Sequence, residues 1–351
     1  MRALVVDDSA VHRLTVAAAL RELPSVTAVE TAASGEEAVR LLSRATFDLL
    51  SLDIQMPGLD GFSVLRWVMT NRPLPVLVVT GAQHGPTAMA ALELGAFEVL
   101  RKPSPRSGGL ERWKTLLARA VEAAGELRLD RLAAGREARA ESRAPAAPLP
   151  AGRAEPTRGV LVVASSTGGP AALRTVFSGL PPHPVPVLVA QHMPAPFTRS
   201  LASRLASVSG WDAREARDGD PLAAGTILVA PGGQHLVVGD GSGGAVARLV
   251  EGGDARWCPS GDLLLTSAAR SFGARTVAVV LTGMGSDGAE GARAVEKAGG
   301  VVIAESRETA VVAGMPEAAA RAAPGALRLP LGAIADALAR RLALATLPTP
   351  L

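Results

Sequence analysis

Three segments of the chain end an apolar run in a residue that can do chemistry. "VLVVASSTGGP" (160–170) ends in paired serines, "VLVAQHM" (187–193) places His192 at its terminus, and "VAVVLTGMGSDG" (277–288) carries Asp287 in a glycine-rich turn. A serine hydroxyl, an imidazole and a carboxylate form the set that serine hydrolysis needs. The base takes the hydroxyl proton, and the carboxylate orients and stabilises the imidazolium. Glycine-rich turns between a strand and a helix often bind phosphate, but "SSTGGP" after a strand, taken alone, favours a helix cap over catalysis. It gives neither GxxxxGK[ST] nor GxGxxG, so the common phosphate fingerprints are absent. The order Ser…His…Asp and the lack of GxSxG exclude the α/β-hydrolase arrangement.

A second set lies in the first half. Asp7 and Asp8 follow the run "ALVV", and Asp53 follows "DLLSL". Three carboxylates at one sheet edge repel unless a divalent cation neutralises them, and hard oxygen ligands suit Mg²⁺. Thr80 ends the run "VLVVT", and Lys102 stands before Pro103 after a further strand.

Both sets need parallel strands whose carboxyl ends share an edge, since that is where ligands bind in such sheets. Short apolar runs at 3–6, 48–52 and 76–80 read as buried strands, with helical patterns such as 10–22 and 35–44 between them. Ser34, with Glu37 three residues on, reads as a helix N-cap. Residues 110–124 read as the last amphipathic helix, with Leu110, Trp113, Leu117 and Val121 on one side. The strand–helix rhythm implies a doubly wound α/β domain. Residues 133–158 are rich in Ala, Arg and Pro with almost no large apolar side chain, the composition of a linker. A second α/β series follows, with strand runs at 160–164, 185–190, 226–230, 277–281 and 301–304 and helices such as 197–207 and 288–298.

Composition bounds the rest. A chain of 351 residues, 48% hydrophobic and 20% charged, is a globular protein with room for about two domains. No apolar run approaches the ~20 residues of a membrane span, and the start lacks a signal-peptide pattern. Cys258 is the single cysteine, so no internal disulfide forms, and "RWCPSGD" reads as a loop or buried thiol rather than a nucleophile. The net charge of +3 is weak, and no nucleic-acid-binding motif is present.

Residues 1–124 resemble the receiver domain of two-component response regulators through "VVDDS", "LDIQMPGLDG", "VVTG" and "RKP". The resemblance implies that Asp53 is the phosphoacceptor. Asp8, Asp53 and the Gln55 carbonyl would then hold Mg²⁺ with help from Asp7, while Thr80 and Lys102 contact the phosphoryl oxygens. One position departs: receivers commonly carry an aromatic where this chain has Val99. Residues 159–347 resemble the catalytic domain of the chemotaxis protein-glutamate methylesterases (CheB). The motifs are "SSTGGP", "VAQHMPAPFTRSLASRL", "ILVAPGGQHL", "VVLTGMGSDGAEG" and "VVAGMPEAA", in the family's order. By that resemblance Ser166, directly before Thr-Gly-Gly, is the nucleophile, His192 the base and Asp287 its orienting partner. Backbone groups near Met284 supply the oxyanion hole, Met284 packs on the imidazole, and Thr167 bonds within the site. Ala313 stands where the family often has an aromatic, and Gly261 and Leu264 where bulkier or aromatic residues are common. These departures leave the chemistry intact and bear on the receptor-facing surface instead.

The expected architecture is therefore a doubly wound receiver (1–124), a flexible linker (125–158) and a mostly parallel α/β esterase domain (159–347). The expected activity is phosphorylation-regulated hydrolysis of glutamate γ-methyl esters on methylated chemoreceptors, with deamidation of receptor glutamines. A chemotaxis-type histidine kinase is the phosphodonor, Mg²⁺ serves the receiver, and the hydrolase site needs no cofactor. Nucleic acid and membrane insertion are not expected, and the resemblance implies a cytoplasmic protein that receptor arrays can recruit. A catalytically silent, phosphorylation-dependent binding module is the alternative, which an ester-hydrolysis assay separates. A receiver-linked transcription factor is the other, but no helix-turn-helix is present.

Overall fold

The computed structural model describes residues 1–81, 85–103, 109–129, 159–253 and 255–345. The chain divides into two compact units, Met1–Arg136 and Glu137–Leu351. Most of the expected linker, residues 133–158 included, lies outside the described residues.

In the first unit five parallel strands run β1 (Arg2–Val6), β2 (Ala28–Ala32), β3 (Leu49–Leu52), β4 (Val76–Thr80) and β5 (Glu98–Arg101), ordered β2-β1-β3-β4-β5. Helices α1 (Ala10–Arg21), α2 (Gly35–Arg44), α3 (Gly61–Asn71), α4 (Gly85–Leu94) and α5 (Leu110–Glu126) connect or follow them. Every residue of β3 and β4 is buried, which explains their unbroken apolar character. Ser34 caps α2 by accepting from the Glu37 N–H at 3.3 Å, and Glu37 reaches back to the Ala33 N–H at 2.7 Å. Trp113 donates its indole N–H to the Arg101 carbonyl at 2.7 Å and so ties α5 to β5. Trp113, Leu117 and Val121 are buried as the periodicity predicts. Leu110 is instead 40% exposed, at the first position of the helix. The helix also runs two residues past 124, to Glu126. Strand order reverses between β1 and β3, and the crevice there is the ligand position of such sheets.

The second unit holds seven parallel strands: β6 (Val160–Ser165), β7 (Val187–Gln191), β8 (Asp212–Glu215), β9 (Thr226–Val229), β12 (Thr276–Val280), β13 (Val301–Glu305) and β14 (Leu327–Leu329). Their order is β14-β13-β12-β6-β7-β9-β8. Helices α6 (Gly169–Gly179), α7 (Ala195–Ser209), α8 (Gly261–Phe272), α9 (Ala289–Lys297), α10 (Gly314–Ala322) and α11 (Leu331–Ala345) accompany them. Between β9 and α8 an antiparallel hairpin, β10 (Gln234–Gly241) and β11 (Gly244–Glu251), interrupts the parallel rhythm. Its Leu236, Val238 and Ala247 join one core with Leu264, Leu265 and Ala268 of α8 and Val160, Val162 and Ala164 of β6. The hairpin thus clamps α8 against the central strand. The chain winds outward from β6 through β7 and returns to the other side at β12, so the reversal falls on β12-β6-β7. The serines, His192 and Asp287 lie at or just beyond the ends of those three adjacent strands.

Candidate active site

Strand β6 ends at Ser165, which is fully buried and donates its hydroxyl to Gln191 Oε1 at 2.6 Å. Ser166 is the first residue of the turn and keeps 7% of its surface exposed. Its N–H donates to the Thr282 carbonyl at 3.0 Å, and its carbonyl accepts from the Gly169 N–H at 2.7 Å. The turn then needs a left-handed residue, and Gly168 supplies it at φ 79° before α6 starts.

Gln191 is the clasp between serine and histidine. Besides accepting from Ser165, its Nε2 donates to the carbonyls of Ser166 at 2.9 Å and His192 at 3.0 Å. The buried amide therefore fixes the backbone on both sides, and a Cβ at Gly169 would come within 2.0 Å of its oxygen.

His192 donates Nε2–H to Asp287 Oδ2 at 2.7 Å. Its other nitrogen, Nδ1, is buried and has no hydrogen-bond partner among the described residues. With the proton on Nε2, the Nδ1 lone pair is the basic position of the ring. Asp287 Oδ2 also accepts from the Gly261 N–H at 2.6 Å, and Oδ1 accepts from Ser260 Oγ and the Asp262 N–H, both at 3.0 Å. Burial works against ionisation of Asp287, but the His192 interaction and the Asp262 and Gly261 N–H groups outweigh it and hold the carboxyl below the usual range. The neighbouring Asp262 moves the other way: burial, with the charge of Asp287, pushes it up to about 6 against the N–H groups of Gly291 and Gly288. The imidazole of His235 accepts the Ser260 N–H at Nδ1, 3.0 Å away, and burial lowers its pKa against the pull of Asp287.

The turn after β12 completes the site. A Cβ at Gly283 would lie 2.7 Å from Ser166 Cβ and 2.3 Å from Met315 Sδ, so only glycine lets this turn approach the serine. The Thr282 N–H is taken by Glu305 Oε2 at 2.8 Å and the Gly283 N–H by the Val312 carbonyl at 2.9 Å. Thr282 Oγ1 donates to the Thr167 carbonyl at 2.9 Å, linking the two turns. Glu305 is buried, which pushes it up to about 7 against the hydrogen bonds from Thr282 and Thr309.

In the first unit Asp7 and Asp8 follow β1, Asp53 follows β3, and their carboxylate oxygens lie within 4.8 Å of one another. Lys102 pairs with Asp53 at 2.6 Å and Asp7 at 2.9 Å. Burial raises the Asp53 pKa, partly offset by Lys102. Thr80 Oγ1 is buried at the same edge without a hydrogen-bond partner among the described residues. Gln55 is exposed on the loop after Asp53, and its N–H donates to Asp53 Oδ1 at 3.2 Å. Val99 is buried in β5.

The comparisons with known proteins fall on the same two units. Residues 161–338 match the family model for CheB methylesterase, and residues 3–113 match the response regulator receiver domain. The chain belongs to the CheB methylesterase family. It is 44% identical over 348 residues to protein-glutamate methylesterase/protein-glutamine glutaminase 6 of Anaeromyxobacter dehalogenans (strain 2CP-C), covering 97% of this chain and 95% of the relative. A Myxococcus xanthus (strain DK1622) relative, protein-glutamate methylesterase/protein-glutamine glutaminase 1, is 42% identical over 341 residues, covering 96% and 95%. The crystal structure of the Thermotoga maritima CheB methylesterase catalytic domain superimposes at a TM-score of 0.50 with 39% identity, covering 53% of this chain and 98% of that one.

Within this CheB methylesterase, the structure brings Ser166, His192, Asp287, Thr167 and the Met284 turn to one sheet edge. Two of the departures from the family pattern, Gly261 and Leu264, are buried in α8. Gly261 sits under Asp287, where a Cβ would meet Ala164 Cβ at 2.7 Å. Sequence reasoning missed Gln191, Ser260, Glu305 and Trp257. Trp257 is stacked on the His192 ring, with centroids 5.1 Å apart and planes at 7°. Gln191 could have been found, since an amide closing an apolar strand beside a histidine demands a partner.

Proposed function

We propose that Ser166 is the nucleophile, His192 the base through Nδ1, and Asp287 the orienting carboxylate. The chain is a protein-glutamate methylesterase that also deamidates glutamine, the two activities its relatives' names give them, and its receiver domain makes it phosphorylation-regulated. The buried, unpartnered Nδ1 of an imidazole whose Nε2 is held by Asp287 carries this reading. Ser166 Oγ adds to the ester carbonyl as its proton passes to Nδ1. The oxyanion faces the backbone N–H groups near Met284, on a turn whose Thr282 and Gly283 N–H groups are already engaged. Collapse breaks the C–O bond, and methanol leaves with the proton from Nδ1. Water then adds to the acyl-enzyme, again giving its proton to Nδ1; the acyl C–O bond to Ser166 breaks, Ser166 Oγ takes that proton back, and a glutamate side chain is the product. A glutamine follows the same course with ammonia as leaving group.

In the receiver unit, Asp53 accepts the phosphoryl group from a chemotaxis-type histidine kinase. The donor set fits Mg²⁺: clustered hard carboxylate oxygens of Asp7, Asp8 and Asp53, to which the Gln55 carbonyl would add a fourth oxygen. Bound there, the ion would neutralise charge on the carboxylates and the incoming phosphoryl group. Thr80, whose buried hydroxyl lacks a partner among the described residues, and Lys102 would hold the phosphoryl oxygens. The substrates are methylated chemoreceptors, met in the cytoplasm or at receptor arrays.

The test is methanol release from methylated receptor preparations. Ser166→Ala abolishes it, while Ser165→Ala loses one buried hydrogen bond to Gln191 and keeps most activity. A dead Ser165 variant beside a normal Ser166 variant would overturn the assignment.

A further inference from the structure

We propose that Trp257 is a positioning residue for the base: its indole face stabilises the positive charge that His192 acquires when Ser166 gives up its proton. The proposal rests on reading His192 as the base. The two rings are stacked nearly parallel at 5.1 Å. That separation is an offset stack for two neutral rings and lies within the ~6 Å over which an indole face attracts a cation. The neutral imidazole gains only the stacking contact, whereas the imidazolium gains the electrostatic attraction as well. An interaction stronger in the charged form acts on the transition state rather than on the resting enzyme.

The surroundings hold the indole in this place. A Cβ at Gly285, on the turn that faces Ser166, would come 2.7 Å from Trp257 Cζ2, so the absence of a side chain there makes room for the ring. Trp257 also lies three residues before Ser260, which caps α8 and donates to Asp287. One short segment therefore reaches both members of the pair: Ser260, Gly261 and Asp262 hold the carboxylate, and Trp257 covers the imidazole.

Charged and titratable groups among the described residues reach the two rings from several sides. Asp287 holds Nε2, Asp262 and His235 stand behind it through the Ser260–Asp262 segment, and the Arg256 guanidinium lies 5.2 Å from the Trp257 ring. Arg256 is exposed and positive, so it opposes rather than supplies the stabilisation assigned to the indole.

The experiment measures kcat/KM against pH for the full chain under a saturating small-molecule phosphodonor. The substrate is a peptide carrying a glutamate γ-methyl ester, with methanol as the readout. Trp257→Leu is expected to lower the plateau about tenfold, about 1.4 kcal/mol, and to move the acid limb to lower pH, because the imidazolium has lost its partner. Trp257→Phe keeps a weaker π face and loses less on both counts. Simple loosening of the site would act in the opposite direction, since water admitted to the ring favours the imidazolium and moves the limb to higher pH. An unchanged plateau, or a fall with the limb unmoved or moved upward, overturns the proposal. His192→Ala run alongside separates the two readings. If it retains activity, the base assignment fails and takes the proposal with it; if it is dead while Trp257→Leu behaves as wild type, only the role of Trp257 falls.

Discussion

Replacing Asp287 with Asn exchanges one carboxylate oxygen for an NH₂ at the most heavily bonded side chain of the site. The carboxylate accepts four hydrogen bonds: Oδ2 from His192 and Gly261, Oδ1 from Ser260 and Asp262. An amide has one acceptor oxygen, so its NH₂ must face a backbone N–H on one side. With the oxygen at the Oδ2 position, His192 and Gly261 keep their bonds, Ser260 rotates its hydroxyl to accept, and only the Asp262 N–H is orphaned. The reverse placement sets NH₂ against the Gly261 N–H and forces the proton of His192 onto Nδ1. The first placement is favoured, and it preserves the productive tautomer.

What the variant loses is charge. With centres about 4 Å apart and an effective dielectric near 20, a carboxylate stabilises an imidazolium by about 4 kcal/mol, so the rate should fall about 10³-fold. A tautomer inversion would cost nearer 10⁴-fold. The orphaned N–H costs about 1–3 kcal/mol of stability, which a folded domain survives. The assay is initial methanol release by the full chain with phosphodonor, with a thermal melt to confirm folding. A fall of less than about tenfold would refute the reasoning, because the charge would then not be felt in the transition state.

The other predictions concern support and control. Gln191→Leu leaves Ser165 Oγ and the His192 carbonyl without the Gln191 amide, while the Ser166 carbonyl keeps the Gly169 N–H, and should destabilise the chain by about 2 kcal/mol or more, read from the denaturant midpoint. Glu305 keeps its proton in the folded state up to about pH 7, whereas the unfolded chain releases it near 4.5, so the unfolded state binds fewer protons between those values and stability falls as pH rises through that window. The loss approaches about 3 kcal/mol, Glu305→Gln should remove it, and melts of both proteins at either end of the window check this. Residues 159–351 alone should hydrolyse ester without phosphodonor at least about tenfold faster than the unphosphorylated full chain if the receiver is inhibitory, a free-energy difference of about 1.4 kcal/mol. If the fragment folds and is no faster, the receiver activates by a positive contribution instead.

The strands that carry chemistry are legible in the sequence because each is a buried parallel strand, where an apolar run must stop abruptly at the first polar residue. Val160–Ser165, Val187–Gln191 and Thr276–Val280 all behave this way, and the sheet order makes them neighbours. The hairpin Gln234–Gly241 and Gly244–Glu251 escapes such a reading, although its core-packed residues, Leu236 and Val238 on one strand and Ala245, Ala247 and Leu249 on the other, alternate around a glycine-rich turn. Its short alternation competes with a glycine content that reads as loop. The supporting residues are harder for a different reason. Gln191, Ser260 and Glu305 act through buried hydrogen bonds to main chain and to partners from 23 to 27 positions away. Only the register of the strands brings those partners together. Trp257 gives no periodic signal at all, since it sits in a connecting segment with no repeat to place it. Its position against His192 exists because Gly285 leaves the space and the Ser260 cap fixes the segment beyond it. Sequence pattern thus identifies the groups that react, while the groups that set their charge and orientation emerge only when loops from different strands meet.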